Sequence, residues 1–183
     1  GGAVRRPDAH AFLPYGDSTI LVNRHGRRCV NEKSMYHVRA QSHFVWSGTE
    51  YPNLVQIMLW DDWVAREPTF WPWRGVVPLP GMPSPYVISA DTLDELAARL
   101  DERLRSLRGR QSGSAAVGPD AQLAPDFLPT LRATIARFNG FAATGVDLDF
   151  HRGAAPIEPA WQGPSQGGPN RTMYPLSSTG PYH

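Results

Sequence analysis

Apolar residues recur along this chain at two periods, and each period predicts its own kind of element. Leu93, Leu96, Ala97, Leu100, Leu104 and Leu107 fall at helical spacing, and Thr92 with Glu95 forms a capping-box pair ahead of them, which predicts a helix over 92–107. A second helix is predicted from about Phe127 to Ala143, with Leu131, Ile135, Phe138 and Ala142 on one face, Pro129 in the first turn and Gly145 at the end. The apolar run Thr19–Val22 precedes Asn23-Arg24-His25-Gly26, where Gly26 can take a positive φ, so residues 18–31 read as a hairpin of two short strands. Leu54, Val55, Ile57, Met58 and Leu59 suit a buried strand within 53–64, with Asp61 and Asp62 opening a turn or short helix.

Other stretches break both periods. Between Glu67 and Pro85 the chain carries Pro68, Pro72, Pro78, Pro80, Pro83 and Pro85, which argues against regular structure. Residues 109–124 are small, polar and breaker-rich and read as a mobile surface loop, while 34–48 suits either a short helix or an extended lid. After Phe150 few core formers remain, so the tail 151–183 is expected to be ordered by packing on something else. These elements predict one α+β domain over 1–183: a small antiparallel sheet or hairpin, two main helices and long Pro/Gly-rich loops.

Composition sharpens the picture in three places. With 17 Gly and 18 Pro the chain is breaker-rich, yet six Trp, six Tyr and seven Phe give it the aromatic content that disordered segments lack. A net charge of +1 provides no broad electrostatic footprint for nucleic acid or an anionic membrane, and no apolar stretch is long enough to span a bilayer. A single cysteine, Cys29, excludes an internal disulfide and fits a reducing, cytoplasmic setting; its expected role is half-buried packing. The chain opens Gly-Gly-Ala without an initiator Met, as expected of a processed, tagged or excised polypeptide.

The common catalytic signatures are missing. There is no Gly-x-Gly-x-x-Gly after a strand, no Gly-x-x-x-x-Gly-Lys, no His-Glu-x-x-His and no cysteine pair for zinc. Arg99, Arg103, Arg105 and Arg108 crowd the end of the first helix, where a solvated basic face is the better reading than a phosphate site.

Four stretches, in order, carry a resemblance. Residues 20–36 (Ile-Leu-Val-Asn-Arg-His-Gly-Arg-Arg-Cys-Val-Asn-Glu-Lys-Ser-Met-Tyr) are similar to a motif of the flavoprotein family that joins fumarate reductases to 3-ketosteroid dehydrogenases. That motif runs Val-Asn, a Gly turn, Arg-Phe-x-Asn-Glu and then a Tyr; Arg28, Asn31, Glu32 and Tyr36 match it, and Cys29 stands where the aromatic residue is usual. The other three are Thr92-Leu-Asp-Glu-Leu-Ala with Leu131–Ala142, Gly145-Val-Asp-Leu-Asp-Phe-His-Arg-Gly, and Gly168-Pro-Asn with Pro175-Leu and Gly180-Pro-Tyr. The loop 109–124 is longer than usual for the family, and the Trp-rich stretch 60–73 has no counterpart in it.

The resemblance implies the substrate-covering cap of an FAD-dependent oxidoreductase, with substrate held between the cap and a flavin bound by segments outside this chain. It implies hydride transfer between a substrate carbon and flavin N5, with Tyr36 at the position of a cap tyrosine that moves a proton. Packing at an interface is the other reading of Tyr36. Arg28, Asn31 and Glu32 are expected to fix how the Tyr36 segment or the cap face is presented, with direct substrate contact as the alternative. No Arg/His clamp for a dicarboxylate is evident, which favours a bulky apolar substrate such as a steroid-like cyclic ketone. Trp46, Trp60, Trp63, Phe70, Trp71 and Trp73 would line such a pocket, or form core or interface. The implied partner is an FAD-binding domain or subunit. The competing expectation is a stand-alone module that has lost FAD and binds a ligand or protein through the old substrate face.

Overall fold

The computed structural model describes residues 14–67, 77–108, 111–112, 115–116 and 121–183. Strand β1, Ile20–Asn23, is buried along its whole length. It pairs antiparallel with β2, Gln56–Leu59, in the register Ile20–Leu59 to Asn23–Gln56. The expected hairpin is therefore half right. The turn forms, with Gly26 N–H donating to Asn23 O at 2.9 Å and Asn23 N–H to Arg27 O at 2.9 Å. The returning limb keeps the bridge from Val22 to Arg28, and the Arg28 and Glu32 side chains that follow are buried.

That turn is pressed against the second long helix. Gly26 has φ +75°, and a Cβ there would sit 2.6 Å from Phe127 O and 2.9 Å from Leu131 N. Both the left-handed backbone and the backbone contacts require glycine. Gly26→Ala is expected to destabilise the fold by about 1–3 kcal/mol, read as a lower urea midpoint at unchanged slope.

After Tyr36 the chain forms α1, Tyr36–Ser42, which resolves 34–48 in favour of a short helix followed by a loop. Helix α2, Asp62–Arg66, begins where the paired aspartates predicted; Asp61 caps it by accepting from Val64 N and also holds Ser177 N–H at 3.1 Å. Helix α3, Leu93–Leu107, is capped by Thr92, whose hydroxyl accepts from Glu95 N; the Glu95 carboxylate reaches one residue past the usual box to Asp91 N. Along α3, Arg99, Arg103 and Arg108 donate to the carbonyls of Ser89, Pro85 and Ala121. Part of the basic face is therefore used to hold neighbouring backbone.

Residues 111–112 and 115–116 pair as a two-residue ladder, β3 and β4, inside the stretch expected to be a mobile surface loop. Helix α4, Phe127–Thr144, ends at Gly145 with φ +80° and Gly145 N–H on Phe141 O at 2.7 Å. A last short helix, α5, spans Ile157–Trp161.

The main core lies between the β1–β2 pair and helices α3 and α4, built from Ile20, Val22, Leu59, Leu96, Leu131 and Phe138 among others. The tail departs from expectation: Met173, Leu176 and Tyr182 are buried in this same core, so the tail packs on the chain's own interior. A smaller cluster gathers Tyr15, Trp60, Val64 and Val77 on the other side. Among the described residues no helix is long and apolar enough to cross a membrane.

Candidate functional site

The segment that leads to Tyr36 is anchored by buried charge. Arg28 donates through Nε and Nη2 to both oxygens of Glu32, at 2.9 and 2.8 Å, and through Nη1 and Nη2 to both oxygens of Asp147, at 3.1 and 2.9 Å. Arg152 reaches Glu32 Oε2 at 3.1 Å and donates to the carbonyls of Thr19, Asp17 and Thr172. Glu32 is fully buried and Arg152 almost so. The Phe138 ring lies under both guanidinium groups, 5.1 Å from Arg28 and 5.3 Å from Arg152, and Phe150 lies 5.1 Å from Arg28.

Two arginines and two carboxylates leave this cluster formally neutral, the condition under which buried charge is tolerated. Burial alone would push the Glu32 carboxyl up, but Arg28 and Arg152 hold it below the usual carboxylate range. Asp147 is likewise depressed against its desolvation by Arg28 and by the backbone N–H groups of Asp149 and Arg152. Burial and the nearby Glu32 push the Cys29 thiol up to about 12. Its sulfur packs half-buried at 3.8 Å from Leu21 O, as expected of a packing residue.

Asn31 carries this support outward. Its Nδ2 donates to Glu158 Oε1 at 2.9 Å and to Phe150 O at 3.4 Å, and its Oδ1 accepts from Lys33 N at 2.9 Å. Ser34 returns its hydroxyl to Asn31 O at 2.7 Å, and Arg39 Nε closes the turn on Ser34 O at 3.0 Å. Lys33 is buried with Nζ on the carbonyls of Pro14 and Gly16, and burial followed by the Arg152 charge pulls its pKa well down.

The turn so fixed delivers Tyr36 as the first residue of α1, 54% exposed, with the His37 ring edge-on at 5.7 Å. The same helix and the loop after it expose Val38, Phe44, Val45, Trp46, Tyr51 and Leu54. Trp46 and Tyr51 stack obliquely at 4.9 Å. Such a concentration of exposed aromatic and aliphatic side chains in one stretch marks a surface suited to meeting a ligand or partner.

Of the residues singled out in the sequence, Arg28, Asn31 and Glu32 converge on one buried network, and Tyr36 stands outside it on the surface. Trp46 shares the exposed stretch with Tyr36, Trp63 is half-buried, and Trp60 is buried in the smaller core cluster. Phe70, Trp71 and Trp73 lie outside the described residues. Sequence reasoning missed Asp147, Arg152 and Glu158. Asp147 and Arg152 carry a signal only as charges within the stretch Gly145–Gly153, and Glu158 carries none.

Two of the chain's glycine turns, at Gly16 and Gly26, are filled by its own atoms. A Cβ on Gly16 would meet the Val64 side chain at 2.4 Å, and one on Gly26 would meet Phe127 O at 2.6 Å. Neither of these two turns leaves room to cradle a nucleotide phosphate.

No protein-family model matches the chain. The chain is 31% identical over 177 residues to a 4-oxocyclohexanecarboxylate 2-dehydrogenase of Sinomonas cyclohexanicum, a match covering 94% of this chain and 25% of that protein. It is 31% identical over 159 residues to a 3-oxosteroid 1-dehydrogenase of Mycobacterium tuberculosis, covering 80% of this chain and 23% of the relative. A 3-oxosteroid 1-dehydrogenase of Mycolicibacterium smegmatis matches at 31% over 149 residues, 74% of this chain and 21% of its own length. The chain thus spans about a quarter of the length of the curated relatives it matches. Its fold is that of part of a 3-ketosteroid delta1-dehydrogenase from Sterolibacterium denitrificans, solved with 1,4-androstadiene-3,17-dione. That likeness has a TM-score of 0.64 and 20% identity, over 94% of this chain and 27% of the other.

Proposed function

Because this chain belongs with the 3-ketosteroid and 4-oxocyclohexanecarboxylate dehydrogenases as a stretch of about a quarter of their length, we propose that it is the substrate-covering cap of such an oxidoreductase. The observation that carries the reading is the run of exposed apolar side chains in and after the helix that Tyr36 opens. A cyclic ketone offers broad apolar faces and one polar oxygen, and Val38, Phe44, Val45, Trp46 and Tyr51 offer the matching apolar wall. Tyr36, the first residue of the same helix, adds an exposed phenol to that stretch.

In this reading FAD supplies the redox chemistry and is held by polypeptide outside these residues, in the cytoplasm. The chain's own contribution is to exclude water from one side of the substrate and to place the Tyr36 O–H where a proton at the substrate ring is exchanged. Arg28, Asn31 and Glu32 act through the turn 31–35. Trp71 and Trp73 are proposed as further substrate or interface residues.

The full-length protein tests this directly. It should purify with a flavin absorbance spectrum, and 1,4-androstadiene-3,17-dione or 4-oxocyclohexanecarboxylate should quench the fluorescence of Trp46, an effect lost in Trp46→Phe. A full-length protein without flavin, or one that leaves Trp46 unmoved by both ketones, would exclude the cap reading.

A further inference from the structure

The His183 ring is fixed by its neighbours. The His183 backbone exchanges bonds with Trp60, N–H to O at 2.9 Å and O from N–H at 3.0 Å, and the Trp60 ring stacks on the imidazole at 6.0 Å. Beside it, Tyr182 exchanges bonds with Ala90 at 2.8 and 3.0 Å, which brings Ser89 level with His183. The exposed Ser89 hydroxyl lies 2.7 Å from His183 Nδ1. On the other side of the ring, Nε2 lies 3.7 Å from Asp62 Oδ1, at the start of α2.

These neighbours assign the protons. A carboxylate can only accept, and Nε2 is buried with no hydrogen-bond partner of its own among the described residues. The nitrogen turned to Asp62 therefore carries the hydrogen. Nδ1 is left as the free base, and the group in front of it is a hydroxyl. Asp62 is itself oriented, since its Oδ2 takes Arg66 Nε at 2.7 Å and leaves Oδ1 for the ring. Burial pulls the His183 pKa below the ordinary histidine value against the charges of Asp62 and Asp61, and Arg66 adds to the fall. The ring is thus the neutral form at neutral pH, the form a general base needs.

Hydroxyl, base and carboxylate stand in the order that activates a serine nucleophile. Space and charge accompany them. A cavity of about 340 Å³ is lined by Ser89 and His183 together with Val77, Leu79, Met82 and Val87, apolar walls that suit a hydrocarbon chain. Arg99 donates to Ser89 O, which puts a cation beside the serine, and positive charge there favours the oxyanion formed when a carbonyl is attacked.

We propose that Ser89, His183 and Asp62 form an acyl-transfer site that hydrolyses carboxylic esters with short apolar acyl chains. Ser89 Oγ attacks the ester carbonyl carbon while its proton passes to His183 Nδ1. The bond from that carbon to the alcohol oxygen breaks, and His183 gives the proton to the departing alcohol, leaving Ser89 acylated. Water then attacks the acyl carbon as its proton passes to Nδ1. The serine–acyl bond breaks, Ser89 Oγ takes the proton back, and the carboxylic acid leaves. No oxidant or reductant is consumed. Asp62 touches no reacting atom and is a positioning residue that acts through His183. The site uses neither Tyr36 nor the rest of α1, so it stands whether or not the substrate-covering reading does.

The full-length protein with p-nitrophenyl butyrate provides the test. It should release p-nitrophenol faster than buffer, and folded Ser89→Ala and His183→Gln should each lose about 10²-fold or more of that rate. Asp62→Asn should lower kcat with KM within about twofold of the parent, as expected of lost orientation and not of lost binding. Phenylmethanesulfonyl fluoride should modify Ser89 of the unsubstituted protein, located by peptide mass spectrometry, and butyrate ester should slow that labelling. Release no faster than buffer would overturn the site, as would a folded Ser89→Ala that keeps the parent rate. Where a variant does not fold, the labelling decides alone: modified Ser89 supports the site, and unmodified Ser89 overturns it.

Discussion

Arg152→Met is expected to cost about 3–5 kcal/mol of folding stability, enough to leave a domain of this size largely unfolded. The side chain is almost completely buried and holds four acceptors: the Glu32 carboxylate and the carbonyls of Thr19, Asp17 and Thr172. Methionine fills most of the volume but donates nothing. Three carbonyls are left without that donor, and the cluster of two arginines and two carboxylates acquires an uncompensated negative charge in a dry site. Arg152→Lys restores the charge but not the planar fork, so it should recover only part of the loss. Urea unfolding of the three proteins decides this; a Met variant within about 0.5 kcal/mol of the parent would show that the buried network contributes little.

The same network sets the acid limb of stability. Glu32 and Asp147 have folded-state pKa values below the ordinary carboxylate range. Their stabilisation is therefore complete above the unfolded pKa of about 4.3 and is lost as pH falls through the depressed folded values. In Arg152→Met one of the charges that depresses Glu32 is gone, so the dependence below that pH should flatten. Lys33 acts with the opposite chemistry. Its folded pKa is lowered, so the unfolded chain binds the extra proton and stability rises with pH toward the ordinary lysine range.

How much of this was legible in the sequence depended on range. Helices α3 and α4 followed from local spacing because their caps and apolar faces lie within one stretch each. The turn at Gly26 was legible for the same reason. Its strand partner was not: apolar alternation shows that Ile20–Val22 is a strand but cannot say whether Cys29-Val30 or Ile57–Leu59 lies beside it. The buried salt-bridge cluster was further out of reach, since Arg28 and Asp147 are 119 positions apart and carry no mutual pattern. Met173, Leu176 and Tyr182 enter the core singly from a breaker-rich tail, so no periodicity announced them. Tyr36 was singled out by resemblance alone. The structure adds that Arg28 and Glu32 form a buried ion pair and that Asn31 bonds Glu158, all in the segment leading to Tyr36.

That placement makes Tyr36→Phe the sharpest test of mechanism in the full-length protein. Turnover of a ketone substrate is expected to fall by about 10²–10³-fold, the usual contribution of a positioned proton-transfer group. The substitution deletes one hydroxyl from a ring that is 54% exposed and keeps the ring's contact with His37, so folding should change by less than about 0.5 kcal/mol. A large fall in kcat with KM and the flavin spectrum preserved therefore reports lost chemistry and not lost structure. Asn31→Ala provides the contrast. It removes the bonds of the Asn31 side chain to Glu158 and to Lys33 N–H while leaving the phenol in place, so it should loosen the orientation of Tyr36 and reduce turnover by a smaller factor. If Tyr36→Phe turns over at the parent rate, Tyr36 is a packing residue of the exposed face, and the proton must be handled by a group outside this chain.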